Sequence, residues 1–303
     1  MNGIFIDLSL VEHVNSAVME FVQRHGEMFH DVARWLLAWL LVPLERALLW
    51  LPPWAVLAIV GALAWHALRR WSAVVALVVG LYLIGCVGLW DKLIQTIALM
   101  LVATLLTLLL GVPLGIWMSA SQWLRRVLQP VLDVMQTLPG WVYLVPVLML
   151  FGLGKVPALI ATVIYALPPL IRLTDLGIRL VDKEVVEAAR AYGTTPSQLL
   201  LTVQLPLARP SIMAGMNQAV MMALGMVVMA SMIGARGLGE DVLAGLNNMN
   251  FGRGLQGGVA IVILAIVIDR ITQAYGVGRR ERQTRSRSDS SARRSGSSGD
   301  DKA

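Results

Sequence analysis

The chain has 303 residues, 57% of them hydrophobic and 15% charged, with a mean hydropathy of +0.69. Soluble domains run nearer about 45–50% apolar and about 25% charged, so these figures exclude an ordinary soluble fold and indicate an integral membrane protein. The net charge of +6 is no sign of a nucleic-acid binder, because eight basic and four acidic residues fall in residues 279–303 alone.

The start, MNGIFIDLSLVEHVN, lacks a basic segment followed by an apolar core, so no cleavable signal is expected. Residues 1–53 read as an N-terminal head ending in an amphipathic stretch. Residues 32–51 are apolar but interrupted by Arg34, Pro43, Glu45 and Arg46. Two charges plus a proline in mid-segment make a crossing costly. The segment is therefore expected to lie in the membrane interface, with Trp35, Trp39 and Trp50 at headgroup level. A further crossing is the other reading.

Apolar runs follow at 54–68, 73–89, 93–120, 139–153, 156–171, 212–233 and 258–268, the last extending towards Tyr275. Each approaches the length needed to cross a hydrocarbon core of about 30 Å, which gives about seven transmembrane spans. No alternation at a period of two is present, so the expected fold class is an all-α integral membrane bundle and not a barrel. Residues 54–92 supply two accessory spans, 93–275 the core with a polar cytoplasmic loop at 173–210, and 276–303 a disordered basic tail. The tail's composition gives it almost nothing to bury, and anionic lipid headgroups are its expected contact. Arg69-Arg70, Arg125-Arg126, the 173–210 loop and the tail fall on one side of the membrane. That side is cytoplasmic by the positive-inside rule, which puts the N-terminus outside and the C-terminus inside.

The loop reads DKEVVEAARAYGTTPSQLLLTVQLPLARPSI. Asp182 can cap a short helix whose first turn holds Glu184, where the dipole favours a carboxylate. Gly193 can take the left-handed geometry of a helix end. Thr195 and Pro196 can restart a short helix as its cap and first residue. Pro206 and Pro210 would then bracket re-entry into the membrane. The product is a helix–turn–helix knuckle off the bilayer, presenting small side chains beside Glu187.

Glu187-Ala188-Ala189, then Gly193 after three residues, then Val203-Gln204-Leu205-Pro206 after nine more, resembles the E-A-A loop of ABC importer permeases. Its pattern is E-A-A-x3-G-x9-I-x-L-P, and Val203 in place of Ile is the one departure. LDVMQTLPGWVYLVPVLMLFGLGKVPALIATVIYALPPLIRLT and QLPLARPSIMAGMNQAVMMALGMVVMASMIGARGLG are similar to permeases for glycine betaine, proline betaine and choline. The resemblance covers residues 54 to 275 and implies a type I ABC importer permease fold in a bacterial inner membrane. It also implies a permease homodimer, two copies of an ATP-binding cassette subunit and an extracytoplasmic substrate-binding protein. The solute would be a quaternary ammonium compound, with an amino acid such as histidine or proline as the alternative within the family. In such a system Glu187, Ala188, Ala189, Gly193, Val203, Leu205 and Pro206 couple to the ATPase.

No enzymatic arrangement is evident, and ATP-Mg is expected on the partner subunit. Gly152-Leu153-Gly154-Lys155 would need Gly at Met149 and Ser or Thr at Val156 to be a phosphate loop. A transporter or channel working without ATP is the competing class, and it is disfavoured by the lack of paired intramembrane carboxylates. Asn217, Met221 and Gly225 repeat every four residues and share one helix face, which could line a solute route or pack against a neighbour. Tyr143 and Trp141 could give a cation–π contact or anchor at the interface. Arg172 and Asp175 are expected at the inner mouth, pairing locally or meeting the ATPase. Prolines 113, 139, 146, 157, 168 and 169 mark where spans should kink or break.

Overall fold

The apolar runs fold as helices because each carries enough backbone partners within itself to leave no polar group facing lipid. The computed structural model describes residues 27–276, together with Glu20 and Arg24, and no strand occurs among them. In chain order the helices are α1 (Glu27–Trp50), α2 (Pro53–Leu68), α3 (Trp71–Cys86), α4 (Trp90–Ala120), α5 (Gln122–Thr137) and α6 (Gly140–Phe151). They continue with α7 (Lys155–Arg179), α8 (Lys183–Ala191), α9 (Pro196–Ile233), α10 (Leu238–Asn247) and α11 (Phe251–Gly276). The head before Glu27 and the tail after Gly276, for which the sequence sets the expectations above, lie outside the described residues, Glu20 and Arg24 apart.

Every apolar run named above reappears as helix, but not every run is a full crossing. By length and composition α4, α7, α9 and α11 can each cross a membrane, and up to six crossings result if each bent pair counts as one. The expected span at 139–153 is the clearest difference. It folds as the 12-residue α6, about 18 Å long at 1.5 Å per residue, and meets α5 at 104°. Likewise α1 and α2 meet at 105°, where Leu51-Pro52 turns the chain before Pro53 starts the next helix. Helix α3, at 16 residues, is a shorter apolar helix.

Prolines behave differently from expectation. Pro139 stands at the sharp break, whereas Pro113, Pro146, Pro168 and Pro169 lie inside continuous helices. Pro206 and Pro210 do not separate the knuckle from the membrane either, since α9 runs unbroken from Pro196 to Ile233. Local widening explains part of this. A π-helical stretch at Leu37–Leu41 precedes Pro43 and another at Leu199–Gln204 precedes Pro206. A wider turn relieves the clash between a proline ring and the carbonyl one turn back.

The core is built around α7, which packs most extensively on α9 and α4. Small residues make that approach possible, as expected where lipid removes the hydrophobic drive between helices. A Cβ on Gly115 would stand 2.5 Å from the Thr174 Cβ, and one on Gly177 2.6 Å from the Ser211 Cβ. Above these contacts Ala158, Leu159, Ala161, Met226 and Ala230 are fully enclosed. A second cluster joins α2, α3 and α11 through Ala64, Leu81 and Leu264.

Candidate functional site

The polar loop folds as the residues dictate. The Asp182 side chain accepts from the Glu184 N–H at 2.9 Å and starts α8. Gly193 ends it with φ +80°, its N–H donating to the Arg190 carbonyl at 2.9 Å. Thr195 and Gln198 then form a reciprocal capping box, the Thr195 N–H donating to Gln198 Oε1 at 2.9 Å, with Pro196 as the first residue of α9. Helix α8 has no buried residue, and Tyr192 just beyond it is 92% exposed. Glu187 and Ala188 face out, Ala189 is half-buried, and Val203, Leu205 and Pro206 lie in the first turns of α9. Beside α8 a cleft of about 980 Å³ opens towards the C-terminal end of α4, lined by Ser119, Arg179, Glu187 and Gln204 among others. An exposed short helix of small side chains around one carboxylate can enter another protein's groove with little steric cost.

The residues considered for a solute route separate into two groups. Asn217 turns towards α11, where its Oδ1 accepts from the Thr272 hydroxyl at 2.5 Å and its amide donates to Asp269 at 3.4 Å. That is the interhelical packing alternative. Met221 and Gly225 stay on an uncovered face of α9, and a Cβ on Gly225 would meet nothing within 4 Å. Gln218, which the sequence did not single out as exposed, shares that face. Tyr143 is buried; its hydroxyl donates to the Met135 carbonyl and its ring meets Tyr165 edge-on at 5.6 Å. Tyr143 thus ties α6 back to α5 across their bend, while Trp141 is exposed.

Charged clusters stand at both ends of the bundle, and Arg172 and Asp175 do pair locally. At the α8 end of the bundle Asp175 pairs with Arg179 at 3.2 Å and Arg125 at 3.7 Å. Arg172 pairs with Asp133 at 2.7 Å and accepts help from Gln136, to which it donates at 2.7 Å. At the opposite end Glu45 of α1, only 8% exposed, holds Lys155 at 2.6 Å. Asp241 of α10 is 4% exposed and lies between Lys92 at 2.5 Å and Arg253 at 2.8 Å. Burial pushes the Asp241 carboxyl up, but the hydrogen bonds and charges of Lys92 and Arg253 outweigh it and hold the group below the ordinary carboxylate range. The Leu238 N–H donates to Thr96 Oγ1 at 2.9 Å, which pins the start of α10 to α4.

Residues 108–276 match the family described as the binding-protein-dependent transport system inner membrane component. The chain is 47% identical over 241 residues to the glycine betaine/proline betaine transport system permease protein ProW of Escherichia coli, covering 80% of this chain and 68% of that one. It is 48% identical over 227 residues to the glycine betaine/carnitine transport permease protein GbuB of Listeria monocytogenes, covering 74% and 80%. With the glycine betaine transport system permease protein OpuAB of Bacillus subtilis it shares 46% identity over 224 residues, covering 74% and 79%. Among solved structures, the inward-facing MetNI methionine ABC transporter aligns with TM-score 0.55 at 24% identity, covering 61% of this chain and 95% of that chain, a likeness of fold. This is a multi-pass membrane protein with the type I ABC importer permease fold, and it belongs to the binding-protein-dependent transport system inner membrane component family.

Proposed function

We propose that the chain is the translocating subunit of an ATP-driven importer for a quaternary ammonium compatible solute such as glycine betaine or proline betaine. ATP hydrolysis belongs to two copies of a separate cassette subunit, and solute capture to an extracytoplasmic binding protein. Support for the solute comes from relatives at 46–50% identity whose names carry glycine betaine. Support for the coupling role comes from one observation above all. Helix α8 is capped at both ends, buries nothing, and joins through the turn at 192–195 to α9, which itself runs unbroken from Pro196 to Ile233. Glu187, Ala188, Ala189 and Gly193 form the part that enters the ATPase, and Val203, Leu205 and Pro206 join it to the span.

The uncovered face with Met221 and Gly225 lines the route, facing a second copy of the chain. The exposed rings of Trp35, Trp39 and Trp50, set on a helix that bends 105° into α2, favour an interfacial α1. The N-terminus then lies outside and the C-terminus in the cytoplasm, with residues 54–92 as accessory spans and 93–275 as the core.

The test is to purify the tagged chain from its native membranes, identify its companions, and measure ATP-dependent uptake in vesicles holding the whole assembly. A co-purifying ATPase and uptake of labelled glycine betaine are expected. Uptake driven by a gradient through the chain alone, without ATP, would overturn the reading.

A further inference from the structure

The inner ends of α4, α5, α7 and α9 enclose a pocket of about 290 Å³. Two polar stripes face each other across it. Arg125, Gln129 and Gln136 come from α5, and Arg172, Asp175 and Arg179 from α7. Asp175 is 4% exposed, and its Oδ1 has no hydrogen-bond partner, since Arg179 Nε approaches at 3.2 Å without the alignment of a bond. Arg125 stands 3.7 Å from the other oxygen, beyond hydrogen-bond reach, so its donors are largely unspent. Asp175 is thus paired by charge with two guanidinium groups but short of hydrogen bonds, and so can take a further polar partner.

Gln218 completes the wall from α9, and Met221 and Gly225 continue the same uncovered face towards the outer side. The pocket is therefore the inner end of the stripe assigned above to the route. A ligand that answers both halves of this site carries a carboxylate for the guanidinium forks and a positive centre for Asp175. The positive centre needs no N–H, because an acceptor without a donor can be met by charge alone. The geometry points to a transit subsite for a small zwitterion, its carboxylate on Arg125 and Arg172 and its positive centre beside Asp175. This rests on the proposed transport of such solutes and adds the residues that recognise them on the way in.

Thermal unfolding of the purified full chain, in detergent and in lipid nanodiscs, tests it with four probes. Glycine betaine carries both charges, choline only the cation, acetate only the carboxylate, and inorganic phosphate stands for a lipid headgroup. Glycine betaine should raise Tm with saturation at about millimolar concentration, as suits a site that must release its ligand, and the other three should not. Arg125→Gln should weaken this about tenfold, the size of one charge-assisted hydrogen bond. Gln218→Leu, which leaves the buried ion pairs alone, should also weaken it and serves if the first variant fails to fold. Equal shifts with choline or acetate, a shift with phosphate alone, or no shift at all would overturn the subsite. Uptake by the complete assembly is read separately. Intact glycine betaine uptake with no Tm shift removes the subsite alone, whereas no uptake of any quaternary ammonium compound removes the transport reading and the subsite with it.

Discussion

Helices α8 and α10 are of nearly equal length, nine and ten residues, and each links two long helices at opposite ends of the bundle. They are held in opposite ways. Helix α8 is held by its own caps and by light packing on the first turns of α9, and buries no side chain. Helix α10 is fixed from outside itself, with Leu238, Gly239, Asp241 and Gly245 buried. Lys92, Arg253 and Thr96 reach it from two other helices, and a Cβ on Gly245 would fall 2.4 Å from the Gly254 backbone. The contrast teaches that surface placement does not define a helix's task. The segment proposed to be gripped by a partner is stabilised locally and left uncovered, while α10 is fastened to the bundle.

The largest effect should come from unfastening α10. Lys92→Ala leaves Asp241 buried with one partner and should cost about 3 kcal/mol, the low end for a broken buried pair because Lys92 is itself 26% exposed. Thermal unfolding of the purified chain checks this, and a loss no greater than that of a surface change would erase the contrast. The same clamp carries a pH signature. Because the folded Asp241 carboxyl is depressed, its contribution is present above its unfolded value of about 3.9 and fades as pH falls through the lower folded value. Tm of the wild type should drop more steeply in that acid window than Tm of Asp241→Asn.

Next in size is Gly193→Val, which forces a β-branched residue to φ +80° and should cost about 1–2 kcal/mol. Gly193→Asn, better suited to that geometry, should recover most of it in the same melt. Asp182→Ala removes the cap of α8 and should cost about 1 kcal/mol. Smallest in stability is Glu187→Trp, expected within about 0.5 kcal/mol of wild type, yet ATP-dependent uptake by the assembled importer should be largely lost. Uptake at the wild-type rate in that variant would count against the grip on α8.

The same contrast explains what the sequence could tell. Asp182, Glu184, Gly193, Thr195 and Pro196 act within a few residues of themselves, so the knuckle's start, stop and restart were readable one residue at a time. The apolar runs were readable for the same reason. Lys92 meets Asp241 and Glu45 meets Lys155 only after the bundle has formed, and no local spacing announces either pair. Asn217 showed its helix face but not which side of that face Thr272 and Asp269 would occupy. Pro139 announced the break before α6, but its 104° angle, with Tyr143 tied back across it to Met135, left no trace in the hydropathy. Pro206 misled because a wider turn in front of it let the helix continue.

That continuity has a mechanical consequence. Helix α9 has 38 residues, a contour of roughly 57 Å from the knuckle to the far side of the bundle. Over such a lever, a tilt of about 5° displaces the distant tip by about 5 Å, on the scale of one helical turn. Glycine contacts at Gly177 and Gly215 mesh the shaft with α7, whose own end lies just before α8, so a push on the knuckle would reach both arms of the hairpin. In the proposed coupling the knuckle would need no message passed through a chain of side chains, for it would be the handle of the part that swings.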